Sequence, residues 1–340
     1  MKMTGHRILI TGGAGFIGSN LTDHLLEQGH RVICLDNFST GRRENLLSAL
    51  KNPNFTLQEG DIRDSALCRE LCAGVDYVFH EAALGSVPRS LADPGTVNDV
   101  NVGGFVNMLK AAADAGVRRF IYASSSSVYG DDPALPKKEG RIGKALSPYA
   151  VTKYADEVYA EVFSRLYGLQ CVGLRYFNVY GRRQNPAGEY AAVIPRFAAA
   201  LLEHRRPVIY GDGSQSRDFT YIDNVLSANR RAMEIPALPV PAGENAAVCN
   251  IACGEAVSLL ELFRRLRDCL GKTDPSILSI EPAFAPPRKG DIAHSLADIS
   301  LAARLLGYVP LKNFREGIAL AAEWYRNSAP AFSPPAPAGE

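Results

Sequence analysis

Glycines at a spacing of three residues separate the first apolar run of the chain, Arg7 to Thr11, from the segment that follows it. They are Gly12, Gly15 and Gly18. From residue 16 to residue 28 apolar side chains recur at helical spacing, so the pattern predicts a strand, a tight turn and a helix. Arg31 to Asp36 is the next apolar run and completes a βαβ unit. A parallel sheet is therefore expected from the N-terminus onward.

The same alternation continues through the first half of the chain. Apolar runs predict further strands at Phe55 to Leu57, Tyr77 to His80, Phe120 to Ala123 and Cys171 to Leu174. Helical spacing predicts helices at Val97 to Ala115 and Ala150 to Tyr167. Strands that alternate with helices are typical of an α/β fold with a Rossmann-type, doubly wound parallel sheet.

The pattern becomes less regular after residue 180, which predicts a second, smaller α/β lobe. Its predicted helices are Val193 to Glu203, Leu259 to Leu270 and Leu301 to Leu306. We therefore divide the chain into a nucleotide-binding domain at 1–180, a mainly substrate-binding lobe at 181–326 and a tail at 327–340. The tail is rich in Pro and Ala and is predicted to be disordered.

Composition excludes several classes of function. The 340 residues carry a formal charge of +1, which leaves no basic surplus for general nucleic-acid binding. No apolar run approaches the roughly 18 residues of a membrane span. The seven cysteines lack CxxC spacing and nearby histidines, so we expect no metal site and reduced thiols in a cytoplasmic protein.

The glycine turn predicts a dinucleotide site. Glycines let backbone N–H groups at a helix N-terminus approach a pyrophosphate, and Gly18 lets the helix pack closely on the strand. Asp36 ends the second strand, where a carboxylate accepts hydrogen bonds from both ribose hydroxyls of NAD and repels the 2′-phosphate of NADP. Asp61 follows the next strand and either contacts the adenine or caps the helix at Ser65 to Leu71.

Tyr149 and Lys153 lie four residues apart at the start of a predicted helix and share one face. A phenol held near an ammonium group and a nicotinamide ring ionises more readily and can act as a general base. The serine run Ser124 to Ser127 follows a strand and can supply a hydroxyl to the reacting oxygen. Taken alone, the same spacing also fits a pair that faces solvent.

Several separated motifs together resemble those of the extended short-chain dehydrogenase/reductase superfamily, and within it the nucleotide-sugar 4-epimerases. The resemblance covers Arg7 to Tyr325. Besides the glycine turn, its motifs are Asp36-Asn37, His80 to Ala83, Ser124 to Gly130, Tyr149 to Lys153, Leu174 to Gly181, Arg217 to Asp223 and Arg288 to Asp291. It implies that Tyr149 is the catalytic base, that Lys153 holds the nicotinamide ribose and that Ser125 is the catalytic hydroxyl.

The resemblance also implies a full set of binding residues. Those for NAD are Gly12, Gly15, Phe16, Ile17, Gly18, Asp36, Asn37, Asp61, Ile62, Ala82, Ala83, Tyr149, Lys153 and Tyr176. Those for the UDP-sugar are Ser86, Ser125, Ser126, Tyr149, Asn178, Ala192, Val193, Arg217, Arg288, Asp291 and Ser295. Guanidinium groups suit phosphate oxygens, so Arg217 and Arg288 are expected to bind the diphosphate, although each could equally be a surface residue.

The serine run favours epimerisation over other reactions on this scaffold. The related 4,6-dehydratases carry an Asp-Glu pair where this chain has Ser126-Ser127, and a decarboxylase is expected to carry a glutamate there. Without these carboxylates, Tyr149 removes the O4 proton, C4 passes its hydride to bound NAD, and the hydride returns to the other face of the sugar. NAD must then remain bound throughout the cycle.

Ser295 indicates which sugar is bound. In the narrow glucose/galactose epimerases a tyrosine fills this place beside the C2 substituent, whereas serine leaves room for an N-acetyl group. The loops at Leu84 to Ser90 and at Gly181 to Gln184, followed by Tyr190 to Val193, also resemble those of UDP-N-acetylglucosamine 4-epimerases. Alternatively, Ser295 is only a tolerated small residue.

Three further expectations remain open. A C4-epimerase of a UDP-hexuronic acid is the first alternative, with Arg89 facing the C6 carboxylate, and a non-catalytic NAD-binding scaffold is the second. The resemblance also implies a homodimer through Val97 to Ala115 and Ala150 to Tyr167. Val158, Val162 and Leu166 form an apolar stripe, which a core-facing helix would show as well.

Overall fold

A computed structural model describes residues 5–185, 191–238, 245–287 and 293–328. Its strands are β1 (Arg7–Thr11), β2 (Arg31–Asp36), β3 (Phe55–Glu59), β4 (Tyr77–His80), β5 (Arg119–Ser125), β6 (Gln170–Tyr176), β7 (Val179–Tyr180), β8 (Val208–Tyr210), β9 (Ser216–Asp218), β10 (Thr220–Tyr221), β11 (Ala246–Ile251), β12 (Ala256–Ser258) and β13 (Ala283–Ala285). Its helices are α1 (Phe16–Glu27), α2 (Ser65–Cys72), α3 (Val87–Ala92), α4 (Pro94–Asn98), α5 (Phe105–Asp114), α6 (Pro148–Tyr167), α7 (Val193–Leu202), α8 (Ile222–Glu234), α9 (Leu259–Gly271), α10 (Ser300–Leu306) and α11 (Phe314–Ser328).

Seven strands form one sheet in the order β11-β6-β5-β4-β1-β2-β3, and every pair in it is parallel. The predicted Rossmann-type sheet is confirmed. From β1 the chain first builds β2 and β3 on one side, and then β4, β5 and β6 on the other. The strand order therefore reverses between β1 and β4, and in such folds ligands bind at the carboxyl ends of the strands beside this point.

The predicted helix at Val97 to Ala115 is interrupted. It consists of α4, a π-helical piece at Asp99–Gly104 and α5. A Cβ at position 104 would lie 2.4 Å from Cδ1 of Ile62, so glycine is required where this helix passes over Ile62. In the π-helical piece, the buried Asn101 accepts the N–H of Leu84 at 2.8 Å and donates to Thr152 at 3.1 Å.

The chain divides into two compact units whose boundaries differ from the predicted 180/181 division. The first unit comprises the residues up to Tyr176, Val225–Ile251 and Asp298–Val309, and the remainder forms the second. The chain returns to the first unit because β11 pairs with β6 over the full length of β11. Of the predicted tail, Asn327 and Ser328 end α11, and residues 329–340 lie outside the described part of the chain.

The core of the first unit lies between the sheet and its helices. Phe105, Phe120 and Tyr122 are at most 1 % exposed and meet edge to face or tilted, with ring centroids 5.2 to 6.3 Å apart. Truncating one buried aromatic side chain to alanine typically costs about 3–5 kcal/mol. This packing fixes the strands whose ends carry the predicted site.

The second unit contains short strand pairs and the helices α7, α9 and α11. The pairs are β7 with β10, β8 with β13, and β9 with β12. Asp218, fully buried at the end of β9, accepts the N–H groups of Cys253, Gly254 and Ala297. One carboxylate therefore joins three chain segments of this unit. Across both units, none of the described helices has the length and apolar character to span a membrane.

Candidate active site

The turn between β1 and α1 requires glycine at two positions. Gly12 has a φ of +67°, and a Cβ there would lie 2.7 Å from the backbone nitrogen of Ala82. A Cβ at Gly18 would lie 2.2 Å from the carbonyl oxygen of Gly12. Gly15 precedes α1 and has no side chain to cap the N–H groups of Phe16, Ile17 and Gly18. These amides therefore remain available to an anion such as a pyrophosphate.

Asp36 lies at the carboxyl end of β2 and is 7 % exposed. One carboxylate oxygen accepts the N–H of Ala14 and the other accepts the N–H of Phe38, both at 2.8 Å. Burial raises the pKa of this carboxyl group, and the two N–H groups oppose that shift. Each oxygen keeps a further lone pair, which suits the paired hydroxyls of a ribose. The residues of this turn thus fit a dinucleotide without a 2′-phosphate.

Asp61 does not cap the helix that follows it. Asp64 is the N-cap residue of α2 and accepts the N–H groups of Ala66 and Leu67. Asp61 instead pairs with Arg63 at 2.8 Å and accepts the side-chain amide of Asn37 at 2.9 Å. The hydrogen bond from Arg63 lowers the pKa of Asp61 to about 2. The capping alternative is wrong, and the adenine contact remains a prediction.

A hydrogen-bonded chain of side chains connects the ends of β4 and β6. The hydroxyl of Tyr176 donates to Glu81 at 2.9 Å and accepts the side-chain amide of Asn229 at 2.8 Å. Burial raises the pKa of Glu81 to about 7, although Tyr176 and Lys153 favour its ionised form. Ala82 and Ala83 follow Glu81 directly and are partly buried, and Ile62 is buried. The phenol of Tyr176 thus has both of its hydrogen-bond partners, Glu81 and Asn229, in the first unit.

The N-terminal turn of α6 carries the proposed chemistry. Ser147 caps this helix by accepting the N–H of Ala150, and Pro148 is its first residue. Lys153 is 2 % exposed, so the alternative of a solvent-facing pair is wrong for this residue. Its ammonium donates to the carbonyl of Ala123 on β5 at 3.0 Å. This bond holds the first turns of α6 against the end of the strand that leads to the serine run.

Buried charges set the protonation state of Lys153. Burial disfavours its ammonium form, but the carboxylate of Asp156 and the phenol of Tyr149 outweigh burial and raise the pKa of Lys153. The carboxylate of Asp156 lies 3.2 Å from the ammonium nitrogen. Lys153 therefore stays charged, as the predicted chemistry requires. Tyr149 itself is partly buried.

The serines at the end of β5 have different partners. Ser125 ends the strand, and its hydroxyl oxygen accepts the N–H of Ser127 at 3.1 Å and the hydroxyl of Ser127 at 2.9 Å. Ser124 is buried and donates to Glu157 of α6. Ser126 is partly buried and begins a short 3₁₀ turn. The hydroxyl of Ser125 is thus oriented by two hydrogen bonds from Ser127.

Sequence reasoning missed the acidic residues that support this helix. Asp156 and Glu157 are buried and follow Lys153 by three and four residues. Glu81 belongs to the motif His80 to Ala83, but no role was assigned to Glu81 itself. The signal was present in the spacing, because residues at i+3 and i+4 lie on the same helix face as Lys153. Acidic residues on a predicted helix are usually exposed, which hid them.

The second unit holds most of the predicted substrate residues. Arg217 and Ser295 are brought together, because the carbonyl of Ser216 accepts the N–H of Ser295 at 3.0 Å and the guanidinium of Arg217 at 2.9 Å. Asn178 has a φ of +34° and donates to the carbonyl of Asp218 at 3.0 Å.

The other predicted substrate residues are spread over both units and the undescribed segments. Ala192 caps α7 and Val193 begins it. In the first unit, Ser86 caps α3 by accepting the N–H of Arg89 at 3.2 Å. Arg288 and Asp291 lie outside the described residues.

Comparison with known proteins identifies the family. The model of the NAD dependent epimerase/dehydratase family matches residues 8–251. A curated relative, UDP-glucose 4-epimerase of Mycolicibacterium smegmatis, is 42% identical over 325 residues, which are 95% of this chain and 99% of the relative.

Solved structures give the same result. The UDP-N-acetylglucosamine 4-epimerase of Methanobrevibacter ruminantium M1, in complex with UDP-N-acetylmuramic acid, is 38% identical with a TM-score of 0.88 and coverage of 96% and 100%. The UDP-glucuronic acid 4-epimerase of Bacillus cereus, in complex with UDP-glucuronic acid and NAD, is 31% identical with a TM-score of 0.81 and coverage of 94% and 99%. The predicted cofactor, NAD, and the predicted superfamily are confirmed, and the chain belongs to the NAD dependent epimerase/dehydratase family.

Proposed function

We propose that this chain is a UDP-sugar 4-epimerase that interconverts UDP-N-acetylglucosamine and UDP-N-acetylgalactosamine. The observation that carries the reaction is the placement of Lys153. Its ammonium is buried and bonded to the carbonyl of Ala123, two residues before Ser125. Acid–base chemistry at a sugar carbon needs a base, a cation and a hydroxyl. The proposed base Tyr149 and cation Lys153 lie at the start of α6, and the proposed hydroxyl of Ser125 lies at the end of β5.

In the proposed cycle, the residues of the chain move one proton and hold one oxygen. Tyr149 removes the proton from O4 while the ammonium of Lys153 stabilises the phenolate. The hydroxyl of Ser125 donates to O4 as negative charge develops there. NAD, held by the glycine turn and Asp36, would supply the hydride acceptor for C4 and the hydride donor for the return step. Tyr149 then gives its proton back to O4 of the inverted sugar.

The serine run supports epimerisation rather than dehydration. Elimination of water needs a carboxylate to remove the C5 proton and a carboxylic acid to protonate the leaving hydroxyl. At the end of β5 the hydroxyl of Ser127 is bonded to that of Ser125, and Ser126 is again a hydroxyl residue. The available groups hydrogen-bond an oxygen but do not supply this acid–base pair.

The choice of an N-acetylated sugar is supported by Ser295 and by the relative from Methanobrevibacter ruminantium. Ser295 is partly buried and lies beside Arg217, which we propose as a ligand of the diphosphate. A small side chain there leaves room beside C2 of the sugar. Arg288 is proposed to bind the diphosphate and Asp291 the uridine ribose. Asn178, Ala192 and Val193 of the second unit, and Ser86 of the first, are proposed as further substrate ligands.

A UDP-hexuronic acid is the second candidate substrate. The similarity to the Bacillus cereus enzyme favours it, and Arg89 on α3 is the cation proposed for the C6 carboxylate. Arg89 is partly buried, as a residue that faces a ligand pocket would be.

We also propose a homodimer through the outer face of α6. Six apolar or aromatic side chains of this helix are 41 to 71 % exposed, namely Val151, Tyr154, Val158, Tyr159, Leu166 and Tyr167. Monomers rarely leave such a contiguous apolar face open. Analytical ultracentrifugation would test the dimer. The seven free cysteines fit the proposed cytoplasmic location.

A substrate panel tests the proposed function. Pure protein without added nucleotide is incubated with UDP-N-acetylglucosamine, UDP-glucose or UDP-glucuronic acid, and the 4-epimers are separated by anion-exchange chromatography. We expect UDP-N-acetylgalactosamine to form fastest, with NAD supplied by the protein itself. Faster turnover of UDP-glucuronic acid would establish the second candidate. Stoichiometric NADH from excess NAD would contradict epimerisation, and no turnover would favour the scaffold.

A further inference from the structure

Asp156 is a buried carboxylate with an incomplete set of partners. It lies on α6, three residues after Lys153, and is 0 % exposed. Its Oδ2 is 3.2 Å from the ammonium nitrogen of Lys153, whereas its Oδ1 has no hydrogen-bond partner among the described residues. Burying a half-satisfied carboxylate is costly, and such a residue on a catalytic helix has to be explained.

Asp156 contacts Lys153 directly, unlike the other acids nearby. Glu157, the next residue of α6, directs both carboxylate oxygens to Arg175 of β6. The ammonium of Lys153 also interacts with His80, the last residue of β4, and with Glu81, which follows it.

Other groups around the pair complete its electrostatic environment. Tyr149 of the same helix interacts with Lys153, and Tyr122 of β5 interacts with Asp156. Burial raises the pKa of Asp156 to about 7, and Lys153 opposes that shift.

The ammonium of Lys153 acts on two neighbours of opposite role. In the proposed mechanism it stabilises the phenolate of Tyr149, and it also attracts the carboxylate of Asp156. A negative charge at Asp156 cancels part of the field that the ammonium exerts on the phenol. The proposed base is thus coupled to a carboxylate that is 0 % exposed and therefore cannot contact the substrate.

We propose that Asp156 is a positioning residue that holds the ammonium of Lys153 and limits how strongly Lys153 promotes ionisation of Tyr149. This inference rests on the proposed role of Tyr149 as the base. Asp156 would then set the pH range in which the phenolate is present, rather than take part in proton transfer to the sugar.

The test is the pH dependence of kcat in Asp156→Asn. Asparagine keeps the shape of aspartate and removes its charge. We expect the midpoint of the acid limb of kcat to move lower by roughly 1 pH unit, because the ammonium then acts on the phenol without compensation. The alkaline limb should also move lower, since Lys153 loses the carboxylate that stabilises its charge. A downward shift of both limbs is the result expected of a carboxylate that compensates part of the charge of Lys153.

A matched control uses another buried aspartate. Asp132 is 8 % exposed and precedes α6 in the sequence. Its carboxylate lies near two cations, the buried Lys137 and the exposed Arg141. Asp132→Asn removes the same charge and should leave both midpoints in place. If Asp156→Asn lowered kcat equally at every pH, or moved the acid limb upward, the proposal would be overturned. If Asp156→Asn does not fold, Asp156→Ser removes the same charge and is judged by the same criterion.

A second measurement does not depend on turnover. The ultraviolet absorbance of tyrosinate, titrated against pH and corrected with Tyr149→Phe, reports ionisation of Tyr149 directly. We expect its midpoint to fall in Asp156→Asn by the same amount as the acid limb. If the wild-type enzyme is active but the tyrosinate midpoint is the same in Asp156→Asn, the role proposed for Asp156 is wrong and the proposed function is unaffected. Absence of any turnover would defeat the proposed function, while the titration would still decide the role of Asp156.

Discussion

Arg175 on β6 binds both carboxylate oxygens of Glu157 on α6, with N–O distances of 2.8 and 2.7 Å. Both side chains are buried, and the Oε1 atom of Glu157 also accepts the hydroxyl of Ser124. One ion pair therefore joins the helix that carries Tyr149, the strand that leads to Ser125 and the next strand of the sheet. The proposed base Tyr149 and the proposed hydroxyl of Ser125 are therefore both held by elements that the Glu157–Arg175 ion pair connects.

Removing the charge of Glu157 should destabilise the fold. Glu157→Gln leaves the guanidinium of Arg175 buried without a counter-ion, so we expect the free energy of unfolding to fall by about 3 kcal/mol. Chemical denaturation measures this. As a control, Asp114→Asn breaks the exposed pair of Asp114 with Lys110 and should change stability by less than about 0.5 kcal/mol. Equal effects of the two variants would contradict a buried ion pair.

Tyr149→Phe should abolish most of the epimerase activity. The phenyl ring keeps the packing but cannot accept the O4 proton, so we expect kcat to fall at least about 100-fold. Tyr154→Phe removes a phenol from an exposed position on the same helix and should leave kcat near that of the wild type. Initial rates on the preferred UDP-sugar give the comparison. A fully active Tyr149→Phe enzyme would disprove the mechanism.

Gly18→Ala should reduce the amount of NAD that copurifies. A methyl group at this position would lie 2.2 Å from the carbonyl oxygen of Gly12, so the turn or the start of α1 must move. Gly103→Ala is the control, because a Cβ there meets nothing within 4 Å. The measurement is the ratio of dinucleotide to protein after acid release. Full NAD content in Gly18→Ala would show that the turn tolerates the displacement.

Glu81→Gln should become more stable relative to the wild type as the pH rises. The folded pKa of Glu81, about 7, lies above its value in an unfolded chain, so the ionised carboxylate destabilises the fold. This cost is absent below about pH 4 and complete above about pH 7. We expect the stability of the variant minus that of the wild type to rise by about 2–3 kcal/mol between pH 5 and pH 8.

The control for this effect is Glu70→Gln on α2, because Glu70 is exposed and its charge stays hydrated in the folded state. Denaturation curves at each pH measure both differences. A difference for Glu81→Gln that stays constant with pH would show that burial does not disfavour the charge of Glu81.

Ser295→Tyr should change the choice of sugar. A tyrosine would occupy the space proposed for the N-acetyl group, and overpacking of this kind costs about 1–3 kcal/mol. We expect kcat/KM for UDP-N-acetylglucosamine to fall at least about tenfold more than that for UDP-glucose. The two substrates serve as controls for each other in a single variant. Equal losses on both would remove Ser295 as the determinant.

The parallel sheet could be predicted, and Tyr149 and Lys153 could be proposed as the catalytic pair, because these signals are local. Apolar runs that end in glycines mark strands, and the four-residue spacing of Tyr149 and Lys153 places them on one helix face. β11 could not be assigned in this way, since a short strand near the C-terminal lobe joins the sheet only through its pairing with β6. The interrupted helix around Asn101 likewise depends on contacts with Leu84 and Ile62, which are distant in sequence.

The amino-acid sequence by itself determined the type of sheet and the dinucleotide turn, and it predicted Tyr149 as the base, because each depends on residues within about one turn or one strand. Only the tertiary structure decided which charges surround that base. Asp156, Glu157 and Glu81 look like surface acids in the sequence, but packing takes them wholly or partly out of solvent, and Glu157 and Glu81 find their partners Arg175 and Tyr176 on β6. Burial is a property of the packed chain, and it controls the ionisation of each of these groups.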